Sequence, residues 1–78
     1  MRVVLYWRPG CHLCDDARRV LLAEQARSPF ELAEVSVEDD DDLEREYGIR
    51  IPVVEIDGEE RFEYHVDGDE LRRLVRAG

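Results

Sequence analysis

Val3-Val4-Leu5-Tyr6-Trp7-Arg8-Pro9-Gly10-Cys11-His12-Leu13-Cys14-Asp15-Asp16 decides how the rest of the chain is read. Val3 to Trp7 is an unbroken apolar run, which predicts a strand covered on both faces. Arg8-Pro9-Gly10 breaks the run. From Cys11 onward a helical period takes over, with Leu13, Ala17, Val20, Leu21 and Glu24 at three- and four-residue steps, apolar until the last. Cys11 therefore falls where a strand ends and a helix begins. The first amides of a helix have no internal partners, and the aligned peptide dipoles place partial positive charge there. A thiolate at Cys11 is expected to accept from the amides of Leu13 and Cys14. That stabilisation is worth up to about 2 kcal/mol, or roughly 1–1.5 pKa units. Arg8 and a protonated His12 add to it. Cys14, one turn further in, is expected to be the more buried thiol. Asp15 and Asp16 are expected to face solvent beside Arg18 and Arg19.

Downstream, Ser28-Pro29 closes the helix region, and Phe30 to Val37 reads as a second strand. Phe30 and Leu32 take one side of it, and Ala33, Val35 and Val37 the other. Strand, helix, strand with short joints predicts a right-handed βαβ unit with parallel strands. Asp39 to Asp42 supplies a cap and first turn for a short helix over Leu43–Tyr47, with Gly48 at its C-terminus. A cation site in that acidic run is the rival reading, with nothing else in the sequence to support it. Val53 to Ile56 is a third strand, Asp57-Gly58 a two-residue hairpin turn, and Glu59 to Glu63 a charged edge strand. Asp67 and Glu70 form a capping box for a last helix that turns Leu71, Leu74 and Val75 inward. The expected order is βαβ, a short helix, then ββα.

Seventy-eight residues predict one domain, residues 1–78, that buries only about 60–65% of its unfolded surface. Twenty acids oppose eleven bases, all arginine, giving a net charge of −9 that argues against nucleic acid and anionic membranes as partners. No apolar run is long enough to span a bilayer. With no cleavage pattern of a secretory signal near the start, the expected compartment is the cytoplasm, and the expected state is a monomer.

Cys11 and Cys14 are the only cysteines. Their loop is too short to constrain the unfolded chain much, so redox chemistry or metal binding are the remaining reasons for the pair. Cys11, His12 and Cys14 are ligand types, but neighbours in a starting helix rarely face one ion, and a structural zinc needs four ligands. His65 is too isolated to complete a set. An iron–sulfur cluster shared between two chains stays open, since thiolates are its natural ligands. So does a redox-inert interaction domain. No resident metal is expected. Trp7 reads as a wall or core residue, and His65 as a surface one.

Two segments carry a resemblance. Tyr6 to Cys14 resembles the active-site stretch of glutaredoxin-like proteins: a strand, a basic residue three before the first cysteine, then Cys-x-x-Cys. Tyr47-Gly48-Ile49-Arg50-Ile51-Pro52-Val53-Val54 resembles the segment that carries the cis-proline of the thioredoxin superfamily. The resemblance implies an α/β thioredoxin fold, with a four-stranded mixed sheet and three helices. It implies thiol–disulfide exchange on a disulfide-bearing protein partner, Cys11 attacking and Cys14 resolving. Arg8, His12, Leu13, Arg50, Ile51 and Pro52 would meet the substrate, the backbone of Ile51 pairing with it, and the Ile51–Pro52 bond would be cis. Pro9 and Pro29 are expected to be trans. The departures are informative. Glutaredoxins usually place Pro-Tyr between the cysteines, where this chain has His12-Leu13, and Thr where it has Arg50. Their Gly-Gly before the last helix is matched here to His65-Val66-Asp67-Gly68, with Asp69 in the place of an acid that meets the glutathione amine. No cofactor is expected, and glutathione should bind weakly, anchored by Arg8 and Arg50. The electron donor, glutathione or a thioredoxin reductase-like protein, is left open.

Overall fold

Strand β1 (Arg2–Trp7) lies inside a four-stranded sheet, between β2 (Glu31–Ser36) and β3 (Val53–Ile56), with β4 (Glu59–Glu63) at the far edge. The computed structural model describes Met1–Ala77. β1 runs parallel to β2 and antiparallel to β3, and β4 runs antiparallel to β3, so the sheet is mixed. Three helices complete the chain: α1 (His12–Arg27), α2 (Asp41–Tyr47) and α3 (Gly68–Ala77). This is the α/β thioredoxin fold, in the predicted order.

Alternation along the strands divides the sheet into two faces. Val3 and Leu5 of β1 sit opposite Ile56 and Val54 of β3, and all four are buried. They pack with Ala17 and Leu21 of α1, Leu71 of α3, and Val66. Phe30 and Leu32 join this face, as do Leu74 and Val75. Full burial of a side chain of this size stabilises by about 1.5–3 kcal/mol, so this layer carries most of the fold's cohesion.

The second face is covered less than the apolar run of β1 predicts. The short helix α2 meets it through Tyr47, whose ring stacks on Tyr6 at 4.0 Å. Val4 and Tyr6 stay half-buried. Among the described residues no helix is long and apolar enough to cross a membrane.

Three element ends differ from expectation for local reasons. β2 is Glu31–Ser36, with Phe30 and Val37 just outside the ladder. α2 starts at Asp41 rather than Leu43, because the Asp40 carboxylate accepts from the amides of Asp42 (3.1 Å) and Leu43 (3.0 Å). In α1 the inward stripe is Cys14, Ala17, Leu21 and Glu24, so Leu13, expected inside, is 50% exposed. Glu24 keeps its inward position by pairing with Arg72 of α3 at 3.3 Å.

Other signals translate directly. Asp57 and Gly58 both have positive φ, 50° and 87°, as a type I′ hairpin turn requires. Asp67 caps α3 by accepting from the amides of Asp69 (2.9 Å) and Glu70 (3.2 Å). The Glu70 half of the expected capping box differs: its carboxylate pairs with Arg73 along the same helix.

Candidate functional site at the end of β1

β1 stops at Trp7, and the chain turns through Arg8-Pro9-Gly10, where Gly10 takes φ 80°. A glycine reaches that conformation without a Cβ penalty. Cys11 then sits in extended backbone as the N-cap of the 16-residue helix α1. Its sulfur accepts from the Cys14 amide at 3.1 Å, while its carbonyl accepts the Asp15 amide at 3.1 Å. Of the two amides expected to meet the sulfur, the structure shows the Cys14 bond. Cys11 and Cys14 are joined in a disulfide, with Cα atoms 5.2 Å apart. The two cysteines differ in access: Cys11 is half-buried and Cys14 is wholly buried.

The register places the second segment at the same end of the sheet. Tyr6 pairs with Val53, so Pro52 precedes β3 beside the point where β1 gives way to the Cys11 turn. The Ile51–Pro52 bond is cis, and the Pro9 and Pro29 bonds are trans. Pro52 is buried and Ile51 half-buried. The Pro52 carbonyl accepts from the Tyr64 amide at 2.8 Å.

Tyr64 was not marked by the sequence. It has φ 67°, a left-handed conformation that side chains rarely adopt. Its hydroxyl donates to the Ile49 carbonyl at 3.2 Å. One residue thus holds both ends of the 49–52 loop. The stretch His65-Val66-Asp67-Gly68, expected in place of the family's glycine pair, runs into α3, which starts at Gly68. The left-handed residue ahead of that helix is Tyr64, and no small residue advertises it. Leu13 and Tyr64 line a shallow groove of about 40 Å³, together with Ala17, Val20 and Val66. A wider concavity, about 590 Å³, lies near the start of β1 around Met1, Phe30 and Asp57, far from the cysteine pair in the fold.

The arginines expected to meet substrate are held by carboxylates. Arg8 donates to both oxygens of Glu44 at 2.6 Å, tying the Cys11 turn to α2. Arg50 reaches Glu60 (2.8 Å), Glu63 (3.2 Å) and the Glu46 carbonyl (2.8 Å). The bond from Arg50 holds the Glu60 carboxyl below its ordinary range. His12 and His65 are exposed. Asp15 pairs with Arg18 and Asp16 with Arg19, so neither carboxylate is free to oppose a thiolate at Cys11. The Arg18 guanidinium also lies over Trp7, 4.7 Å from its ring centre, and pairs with Glu34. Asp69 is exposed in the first turn of α3. Among the described residues, no three His, Cys, Asp or Glu side chains are grouped to hold a metal ion.

On the second face, Tyr6 and Tyr47 both donate to Glu55, at 3.3 and 3.1 Å. Burial is the main cause that raises the Tyr47 phenol far above the usual tyrosine range, with Tyr6 and Glu55 adding to it. Burial also raises Tyr6, and Glu55 reinforces this against an opposing effect from the Tyr47 hydroxyl.

Comparison with known proteins places the chain. The glutaredoxin-like domain (DUF836) matches residues 2–76. No curated protein matches. Among solved structures, protein XcR50 from X. campestris is 35% identical, with TM-score 0.81 and coverage of 97% of each chain. Protein Ne2328 from Nitrosomonas europaea is 32% identical with TM-score 0.79, over 94% of this chain and 88% of that one. A mutant thioredoxin from Halobacterium salinarum is 23% identical with TM-score 0.67, over 97% of this chain and 72% of that one, and shares the fold. The chain belongs to the glutaredoxin-like domain family.

Proposed function

We propose that this chain performs dithiol–disulfide exchange on protein partners. The Cys11 thiolate attacks a sulfur of the substrate disulfide, forming a mixed disulfide and releasing one substrate thiolate. Cys14 then gives up its proton and attacks the Cys11 sulfur, releasing the second substrate thiolate. Two electrons pass to the substrate, and the chain is left as the Cys11–Cys14 disulfide. An external dithiol or thiol reductant restores it.

One observation carries this reading: two bonded cysteines at a helix N-terminus, one reachable and one sealed. The reachable sulfur already accepts an amide bond that stabilises a thiolate more than a thiol. The sealed sulfur can react with Cys11 and with little else. The same pair would serve a metal poorly, since a buried Cys14 offers its sulfur inward and no further ligands gather near it among the described residues.

Glutathione should be a weak donor. Its two carboxylates would need free cations, and Arg8 and Arg50 are occupied by Glu44, Glu60 and Glu63. The net charge of −9 adds long-range repulsion. A glutathione-driven assay should therefore run far below one driven by a dithiol reductant.

The exchange itself is tested stoichiometrically. Pre-reduced protein mixed with a disulfide peptide should reduce one equivalent per chain and be recovered with Cys11 bonded to Cys14. Recovery of reduced protein beside unreacted peptide contradicts the proposal.

A further inference from the structure

We propose that Arg50 is a positioning residue: it holds the backbone of Ile51 as an unpaired edge on which an extended substrate segment adds beside Cys11. The proposal rests on the exchange reading above and says how that site takes hold of a peptide.

Both neighbours of Ile51 are tied down. The Arg50 amide donates to the Tyr47 carbonyl at 2.8 Å, and the Pro52 carbonyl accepts from the Tyr64 amide at 2.8 Å. Ile51 itself lies outside every strand, and among the described residues its amide and carbonyl bond to no backbone group. Backbone groups left in this state are satisfied by water or by an incoming chain. An extended segment meeting them would add to the sheet through backbone bonds, as peptides add to open strand edges. The register sets this edge beside the Cys11 turn, because Tyr6 pairs with Val53.

The Arg50 side chain fixes that edge from two directions. Its Nη1 donates to Glu60 (2.8 Å) and Glu63 (3.2 Å) of β4. Its Nη2 donates to the Glu46 carbonyl, in the last turn of α2, at 2.8 Å. One planar group thus binds the loop to a strand and to a helix, which the fork of an arginine does better than a point charge. Each ion pair is partly exposed and worth little singly, so the effect is one of geometry more than of stability. A guanidinium committed to three internal acceptors has little left for a substrate. Arg50 therefore acts through Ile51 rather than by touching the peptide.

Two disulfides test this with pre-reduced protein: a peptide with no charged side chain near its cysteines, and dithiodipyridine, which has no peptide backbone. Arg50→Ala should reduce the peptide about tenfold more slowly, the scale of one lost backbone hydrogen bond. It should reduce dithiodipyridine within about twofold of the wild-type rate, and alkylation of Cys11 across pH should not move. The double variant Glu60→Ala, Glu63→Ala keeps Arg50 and removes its carboxylates. It should show the same selective loss, and it gives the readout should Arg50→Ala fold poorly. A peptide rate within about twofold of wild type in both variants, or an equal slowing of both disulfides, overturns the proposal while leaving exchange intact. If the wild-type protein reduces neither disulfide, the exchange reading fails first and this proposal falls with it.

Discussion

At Cys11 the decisive quantity is how far the helix terminus lowers the thiol's pKa. The N-cap geometry and the bond from the Cys14 amide predict a Cys11 thiol that ionises below the range of a free cysteine. Alkylation of single-cysteine variants across pH measures it; equal, unshifted titration of both thiols would contradict the N-cap account. The cysteines were legible because a strand ending four residues before a Cys-x-x-Cys leaves few other places for them. The fate of Arg8 was not legible. Its partner Glu44 lies 36 residues away, and nothing local to either residue signals the pairing. Tyr64 was hidden for a different reason: a left-handed residue is foreseen from glycine or asparagine, and tyrosine carries no such mark. Arg8 and Arg50, expected to meet substrate, are held by carboxylates of this chain itself.

Between elements, two contacts decide how the helices are held. Glu24 is almost wholly buried and has Arg72 as its partner across the α1–α3 interface. Arg72→Ala should destabilise by about 1–3 kcal/mol, because it strands a buried carboxylate. Glu24→Leu, which removes the charge and keeps the volume, should cost little or even stabilise. Denaturant titrations of the two variants check this, and an equal loss in both would show that the pair acts through packing alone. Gly48, after α2, approaches the Glu44 backbone so closely that an added Cβ would collide with it. Gly48→Ala should therefore cost about 1–3 kcal/mol by forcing the backbone to shift, despite alanine's better helix propensity. Thermal melts measure that loss, and an unchanged or raised midpoint would refute it. The element boundaries were read to within two residues, since caps such as Asp40 and Asp67 are local signals. The inward face of α1 was read less well, because the start of the helix at His12 turns Leu13 out and Cys14 in.

Across the whole molecule, topology was the most legible feature and electrostatics the least. Strand and helix periods, with the hairpin at Asp57-Gly58, were enough for the element order; the half-covered second face depends on one tyrosine stack. That stack sets the alkaline limit. Tyr6 and Tyr47 share Glu55, and both phenols are raised above the ordinary 10.0. The unfolded chain thus releases these protons first, so the pair's stabilisation is complete below about pH 10 and is lost as pH rises beyond it. Denaturation midpoints should fall above about pH 10, and less steeply in a Tyr6→Phe, Tyr47→Phe double variant. Identical slopes would remove the pair from the account. The net charge of −9 further predicts that association with a basic partner slows as salt rises. Central to everything is attack by Cys11 and resolution by Cys14, and covalent trapping addresses it most directly. Reduced Cys14→Ser protein, incubated with cell lysate, should be recovered in mixed disulfides through Cys11 that reductant releases, and Cys11→Ser protein should yield none. Absence of any reductant-sensitive adduct on Cys14→Ser, with stoichiometric iron or zinc in the purified wild-type protein, would contradict exchange and support a metal site instead.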